Sequence, residues 1–209
     1  MVPLSLFYKK IIMNNVKGFI YGIITAMTFG LIPLFTLPLM ENSMHYDTIL
    51  LYRFSLAVVA LAIMLVVKRE SFAIEAKQIP TLIALGTLYT CSAMFLFWGY
   101  GLMSAGIATT LHFTYPVFVT LTMCLLFREK ISLIVGIAIA MAIIGVARLS
   151  INGGSLELSG FGIFIVLLSA VAYALYIVVV NKSNVKNLSG RKITFYVFIV
   201  SSILFSIKA

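Results

Sequence analysis

The sequence predicts an all-α polytopic membrane protein with about seven transmembrane helices. Hydrophobic residues make up 62% of the 209 positions, charged residues make up 10%, and the mean hydropathy is +1.14. A soluble domain averages about 25% charged residues, and a soluble chain of this size could not keep so much apolar surface away from water. The polar residues are also gathered in short clusters between long apolar runs, as a lipid bilayer requires.

The apolar runs give the predicted spans directly. A bilayer core about 30 Å thick is crossed by about 20 apolar residues in a helix. The runs are uniformly apolar and do not alternate as the strands of a membrane barrel must, so each is predicted to be helical. The last run is shorter than a full span, and we expect it to be too short to cross alone. The predicted spans are residues 18–39, 48–67, 79–103, 105–127, 131–149, 160–180 and 193–207.

Lysine and arginine placement predicts the orientation, because cytoplasmic loops of membrane proteins are enriched in these residues. One side carries only Arg148 and Lys208. The other side carries the N-terminal lysines and the loops that follow the second, fourth and sixth spans, so we expect it to be cytoplasmic. The protein would then lie in a cell (inner) membrane with its N-terminus in the cytoplasm. The basic residues of the cytoplasmic side are Lys9, Lys10, Lys17, Lys68, Arg69, Lys77, Arg128, Lys130, Lys182, Lys186, Arg191 and Lys192.

The net charge of +9 does not indicate nucleic-acid binding. The basic residues flank apolar runs and form no basic helix or aromatic-interleaved stripe. The expected partners are therefore the lipid bilayer and a small-molecule substrate, and no nucleic acid.

An internal repeat is visible in the order of the spans. The segment GFIYGIITAMTFGLIPLF begins at Gly18, and GFGIFIVLLSAVAYALYIVV begins at Gly160, about 142 residues later. The following spans, TILLYRFSLAVVALAI and KITFYVFIVSSILFSI, correspond loosely. Five helices per repeat would invert the second copy relative to the first. The predicted organisation is a cytoplasmic segment (1–17), a first five-helix repeat (18–149), an outer linker (150–159) and the first two helices of an incomplete second repeat (160–209).

A family resemblance is carried by the stretch FWGYGLMSAGIATTLHFTYPVFVTLTMCLLFREKISLIVGIAIAMAIIGV. Its small-residue hairpin, mid-helix Pro116, Glu129 at a turn, and Gly136 and Gly145 in the next helix resemble EamA-type transporters of the drug/metabolite transporter superfamily. The resemblance implies a ten-helix fold of two five-helix halves that moves small metabolites. This chain would hold one half and two helices of the other. Missing helices, from further chain or self-association, would complete it.

No enzyme motif is present. The sequence has no Gly-rich phosphate loop, HExxH or CxxC pair, and its six Asp and Glu residues all lie in loops or at helix ends. We therefore predict no catalytic residues, no metal and no cofactor, and a protein that is not an enzyme.

The fourth span carries the candidate substrate path. Thr109, His112, Pro116 and Thr120 recur at a spacing that places them on one helix face, and Tyr115 is one turn from His112. Polar groups in hydrocarbon are costly unless they face protein or water. Three interpretations are open for His112: a hydrogen bond across a helix contact, a substrate contact, or proton handling.

Three further residues carry paired interpretations. Trp98 fits an interfacial aromatic belt or a substrate lining, and Tyr173 presents the same choice. Arg53 lies inside the second span, where it either extends to the interface as a structural charge or contacts an anion at the outer vestibule. The function predicted is export of a small organic metabolite, such as an amino acid or related compound, by alternating access. The alternative is a truncated, non-transporting membrane fragment or interaction subunit.

Overall fold

The computed structural model describes residues 4–128, 136–137, 139–141, 144–145 and 160–208; for residues 4–18, 21 and 26 it describes the backbone only. Across these ranges the chain is helical and contains no strand. The all-α class is therefore confirmed. The predicted fifth span, residues 131–149, lies mostly outside the described residues.

Seven helices follow one another in the described ranges, with one 3-10 turn at Ala76–Gln78. We number them α1 (Leu4–Glu41), α2 (Tyr46–Val67), α3 (Ile79–Tyr100), α4 (Ala105–His112), α5 (Tyr115–Phe127), α6 (Gly160–Lys182) and α7 (Gly190–Lys208).

The described helices supply six segments that are long and apolar enough to cross a membrane. The chain is therefore a multi-pass membrane protein. The final span is longer than predicted, because α7 includes polar residues at both ends of the apolar run and reaches 19 residues. At 1.5 Å per residue such a helix covers about the thickness of a bilayer core, so the expectation of a span too short to cross is wrong. The six segments are Gly22–Glu41, Tyr46–Val67, Ala76–Tyr100, Ala105–Phe127, Gly160–Lys182 and Gly190–Lys208.

The chain divides into two compact units, Met1–Met44 and His45–Ala209. The first unit is α1 and its C-terminal turn. Two of its threonines satisfy their hydroxyls within the helix: Thr28 donates to the carbonyl of Ile24 at 2.9 Å and Thr36 to the carbonyl of Ile32 at 2.6 Å. Internal satisfaction of this kind is what a helix in hydrocarbon needs.

In the second unit α3 is the central helix, packed against both α6 and α7, while α2 packs on α7 and α5 packs on α6. Glycine allows the closest approaches. A Cβ added at Gly86 would lie 2.4 Å from Cβ of Val200, and one added at Gly99 would lie 2.3 Å from Cγ2 of Val166. Small residues at helix contacts are typical of membrane proteins, where van der Waals packing drives association.

Ion pairs join α2 and α7 at both ends. Lys208 Nζ lies 2.9 Å from Oδ1 of Asp47, whose side chain is almost fully buried. Beyond the other end of α2, Glu70 pairs with Arg191 and accepts a hydrogen bond from Ser189 at 2.8 Å. These two partners hold the pKa of Glu70 below its ordinary value, with Arg191 the larger cause. Because the start of α2 pairs with the end of α7, the two helices run antiparallel.

The predicted fourth span is not one continuous helix. The helix α4 ends at His112 and α5 begins at Tyr115. Pro116 lies in the first turn of α5, where its missing N–H costs little, and not in mid-helix as we expected. The Thr114 hydroxyl donates to the carbonyl of Leu111 at 2.7 Å within the break. The single face predicted from helical spacing is therefore interrupted between His112 and Pro116.

Candidate functional site

Two buried serines join α3 to α6 near the middle of both helices. The Ser92 hydroxyl donates to the carbonyl of Ser169 at 3.0 Å, and the Ser169 hydroxyl donates to the carbonyl of Ser92 at 2.7 Å. Both residues are almost entirely inaccessible to solvent. Each serine thus satisfies the other across a helix contact, where an unpaired hydroxyl would be costly.

His112 joins this pair from the last residue of α4. Its Nδ1 lies 2.9 Å from Oγ of Ser169, and its side chain is buried. When the single Ser169 hydroxyl hydrogen points to the Ser92 carbonyl, Oγ of Ser169 accepts from the Nδ1–H of His112. In this arrangement a neutral imidazole carries its proton on Nδ1 and its lone pair on Nε2.

The helix break places Tyr115 beside His112 and the α6 residue Tyr173. The Tyr173 ring centroid is 4.8 Å from that of Tyr115 and 5.4 Å from that of His112. The rings of His112 and Tyr115 are 6.0 Å apart. Three of the residues predicted for a substrate path therefore come together, although they lie on three helices, α4, α5 and α6, and not on a single helix face.

The aromatic contacts continue from Tyr173 to α3. Tyr176 is 5.8 Å from Tyr173 and 5.4 Å from Tyr89, centroid to centroid. We call Tyr89, Tyr115, Tyr173 and Tyr176 the tyrosine cluster. All four rings are half-buried, and within the described part of the chain none of their hydroxyls has a hydrogen-bond partner. A phenol hydroxyl can donate and accept one hydrogen bond each, so these four hydroxyls could bond to water or to a ligand.

The tyrosine cluster does not include the other residues predicted on that face of the fourth span, which are Thr109, Pro116 and Thr120. Thr109 is 3.3 Å from the hydroxyl of Tyr100, and Thr120 donates to the carbonyl of Pro116 at 2.9 Å. Pro116 itself is exposed. The threonines are thus satisfied locally, as hydroxyls in apolar helices commonly are.

Trp98 and Arg53 also have partners outside the cluster. The Trp98 ring stands edge-on to Phe161 at 5.7 Å. The Arg53 guanidinium lies 5.8 Å from the ring centroids of both Phe54 and Phe97, and both of these phenylalanines are buried. Cation–π contact therefore holds the arginine inside the α2–α3 region.

Sequence reasoning missed Ser92, Ser169 and Tyr89. A lone serine inside an apolar run was the available signal, but many such serines only bond their own helix, as Ser206 does. Among the described residues no three His, Cys, Asp or Glu side chains converge as a metal site would require. The arrangement of imidazole, hydroxyls and phenol rings suits hydrogen bonding and ring stacking with a small molecule.

The family model of the EamA-like transporter family matches residues 16–151, which is more than half of the chain. The chain belongs to this family. Its members are membrane transporters, so membership places the chain among proteins that move small solutes across membranes and gives no indication of an enzyme. Comparisons with curated proteins and with solved structures gave no match.

Proposed function

We propose that this EamA-family chain exports a small organic metabolite, such as an amino acid or related compound, by alternating access. The observation that carries the proposal is the tyrosine cluster beside His112. Its unpartnered phenol hydroxyls lie within candidate spans, next to a buried imidazole bonded at 2.9 Å to Ser169. In a lipid environment such groups are stabilised by facing a water-filled or substrate-filled path.

The proposed orientation places the N-terminus in the cytoplasm of a cell (inner) membrane. The support is the lysine and arginine asymmetry, with Arg191 and Lys192 on the cytoplasmic side and Arg148 outside. Reporter fusions at Asn184 should be cytoplasmic, and fusions at Gly154 should be outside. Both reporters on the same side would contradict the orientation.

We also propose that the chain contains a first repeat and the start of an inverted second one. Antiparallel packing of α2 on α7 fits a two-fold axis between them, because these are the corresponding helices of the two copies. Phe54 and Phe198 occupy similar places in the two helices and their rings are 5.2 Å apart. An inverted repeat forms its substrate site where both halves meet, so further helices, from continuing chain or from self-association, would complete the path.

Uptake into proteoliposomes tests the transport path. Two proteins are reconstituted: the chain alone, and the chain extended by three helices from a similar transporter. The proteoliposomes are loaded with unlabelled amino acids, and the uptake of a labelled amino-acid mixture in exchange is measured. We expect saturable exchange from the extended chain, lost in Tyr173→Ala and kept in Phe164→Ala, which changes an exposed ring on the same helix. Saturable exchange at the wild-type rate by the extended Tyr173→Ala variant would contradict a transport path at the tyrosine cluster. Saturable exchange by the unextended chain would contradict the need for further helices.

A further inference from the structure

We propose that Arg53 binds the negatively charged group of the transported solute, so that the site selects small aromatic anions, of which a carboxylate is the simplest. This inference rests on the proposed function and adds the class of substrate. It combines two features of the structure: an arginine without an acidic partner inside a span, and a cluster of phenol rings beside it.

Arg53 forms no ion pair within the described part of the chain. Arg53 lies seven residues after the start of α2, about 10 Å along the helix, and is half-buried. The carboxylates that form ion pairs with lysine or arginine among the described residues have other partners: Asp47 pairs with Lys208 at 2.9 Å, Glu70 with Arg191, and Glu75 with Lys77 at 2.6 Å. No carboxylate among the described residues pairs with Arg53, although a charge in a span is expensive unless it is compensated.

The guanidinium is held in place by its surroundings. Phe54 and Phe97 are each 1% exposed, and their ring centroids lie 5.8 Å from the guanidinium carbon, so the guanidinium lies beside two buried rings. Cation–π contact orients the guanidinium and leaves its N–H donors for an acceptor, because an aromatic face accepts none of them in the way a carboxylate does. A planar fork held in this manner suits bidentate binding of a carboxylate.

Phe54 links the arginine to the tyrosine cluster, since its ring is 5.8 Å from the Arg53 guanidinium carbon and 5.8 Å from the Tyr89 centroid. A ligand stacked on Tyr89 and Tyr176 would therefore carry its polar group towards a positive charge.

The sign of this charge decides the class of ligand. An aromatic cluster alone would also suit an organic cation, because phenol rings attract cations. Arg53 opposes a second positive charge, and within the described spans no acid lies beside the cluster to compensate one. An anion gains a charge-assisted hydrogen bond from the guanidinium and stacking from the rings, so the anion is favoured.

The test uses three probes that share a ring and differ in charge: benzoate, benzyl alcohol and benzylammonium. Binding of labelled benzoate to the chain, alone and extended by the three helices of the exchange experiment, is measured by equilibrium dialysis in phospholipid-free maltoside micelles, with the other two as competitors. We expect saturable benzoate binding, weaker competition by benzyl alcohol and none by benzylammonium. Arg53→Gln should raise the benzoate Kd about tenfold or more, as loss of a charged hydrogen bond does, and leave benzyl alcohol unchanged.

Controls separate the charge of Arg53 from folding and from lipid. Arg69→Gln removes an exposed arginine after the same helix and should bind as the wild type does. Arg53→Lys keeps the charge and should lie between the wild type and Arg53→Gln; if Arg53→Gln fails to fold, this variant and the competition order in the wild type still decide. Displacement of benzoate by phosphatidylglycerol would mean that Arg53 binds lipid phosphate, which overturns the proposal.

Two outcomes distinguish this inference from the transport path. Equal competition by unlabelled benzoate, benzyl alcohol and benzylammonium, or a benzoate Kd unchanged by Arg53→Gln, would overturn the anion preference and leave the path intact. Absence of benzoate binding to the extended chain, together with absence of saturable exchange, would overturn both, because the tyrosine cluster would then not be a ligand site.

Discussion

The contact between α3 and α6 at Gly99 predicts how much stability depends on close helix approach. A methyl group at this position would lie 2.3 Å from Cγ2 of Val166, a fully buried residue, but 3.8 Å from its Cβ. Gly99→Ala therefore forces the helices apart and should cost about 1–3 kcal/mol, reduced by up to about 1 kcal/mol because alanine is the better helix former.

A second substitution should relieve that clash. Val166→Ala removes Cγ2 and by itself should cost about 1–3 kcal/mol in lost packing. In the double variant the new methyl at 99 meets Cβ of residue 166 and Cβ of Ala108, each at 3.8 Å, which is ordinary contact. We expect the double variant to be no less stable than Val166→Ala alone, a coupling of about 1–2 kcal/mol.

Thermal unfolding in maltoside micelles, followed by circular dichroism, measures this coupling. A change of 1 kcal/mol corresponds to about 2–4 °C in Tm for a chain of this length. Gly106→Ala is the matched control, because a Cβ there meets nothing within 4 Å, and its Tm should not fall. A double variant whose loss of stability equals the sum of the single losses would refute the packing described for Gly99.

Three further predictions concern polar contacts. Ser169→Ala should cost about 1–3 kcal/mol because it leaves the His112 Nδ1–H without its acceptor, whereas Ser206→Ala, on an exposed hydroxyl, should change stability by less than about 0.5 kcal/mol in the same Tm assay. Because pairing with Arg191 lowers the pKa of Glu70 from its ordinary value of 4.5, the ionised carboxylate stabilises the folded chain at pH values above 4.5. The Tm advantage of wild type over Glu70→Gln should therefore shrink as the pH falls below 4.5, and a constant advantage down to pH 3 would contradict the pairing with Arg191. In ¹⁵N NMR of histidine-labelled protein, His112 should show the neutral tautomer protonated at Nδ1, and an Nε2–H tautomer would mean that the Ser169 hydroxyl is the donor in this bond and not the acceptor.

The spans could be predicted from sequence because length and apolarity alone decide whether a helix crosses a bilayer. The helix α3 begins at the predicted residue, Ile79, with Pro80 in its first turn. The helix α6, Gly160–Lys182, also agrees closely with the predicted span 160–180. The break after His112 could not be predicted with the same certainty. A proline inside an apolar run either kinks one helix or begins a new one, and contacts such as the Thr114 hydroxyl donating to the carbonyl of Leu111 are visible only in the structure.

The candidate site was predicted in part. His112, Tyr115 and Tyr173 were identified as polar or aromatic groups inside spans, and the structure places them together. Ser92 and Ser169 were missed because only the packing of α3 on α6 shows that they bond across a helix contact. Thr109 and Thr120 were included because spacing on an ideal helix ignores the break and the hydroxyl's preference for its own backbone.

Water access at Tyr173 tests the central claim most directly. After Cys91 and Cys124 are changed to alanine, Tyr173→Cys and Phe164→Cys are compared in membranes for reaction with a small charged thiol reagent. The account predicts labelling at 173, in the tyrosine cluster, and little at 164, an exposed ring of the same helix that would face lipid. Equal labelling of the two positions, or labelling of 164 alone, would contradict a solute path through the tyrosine cluster.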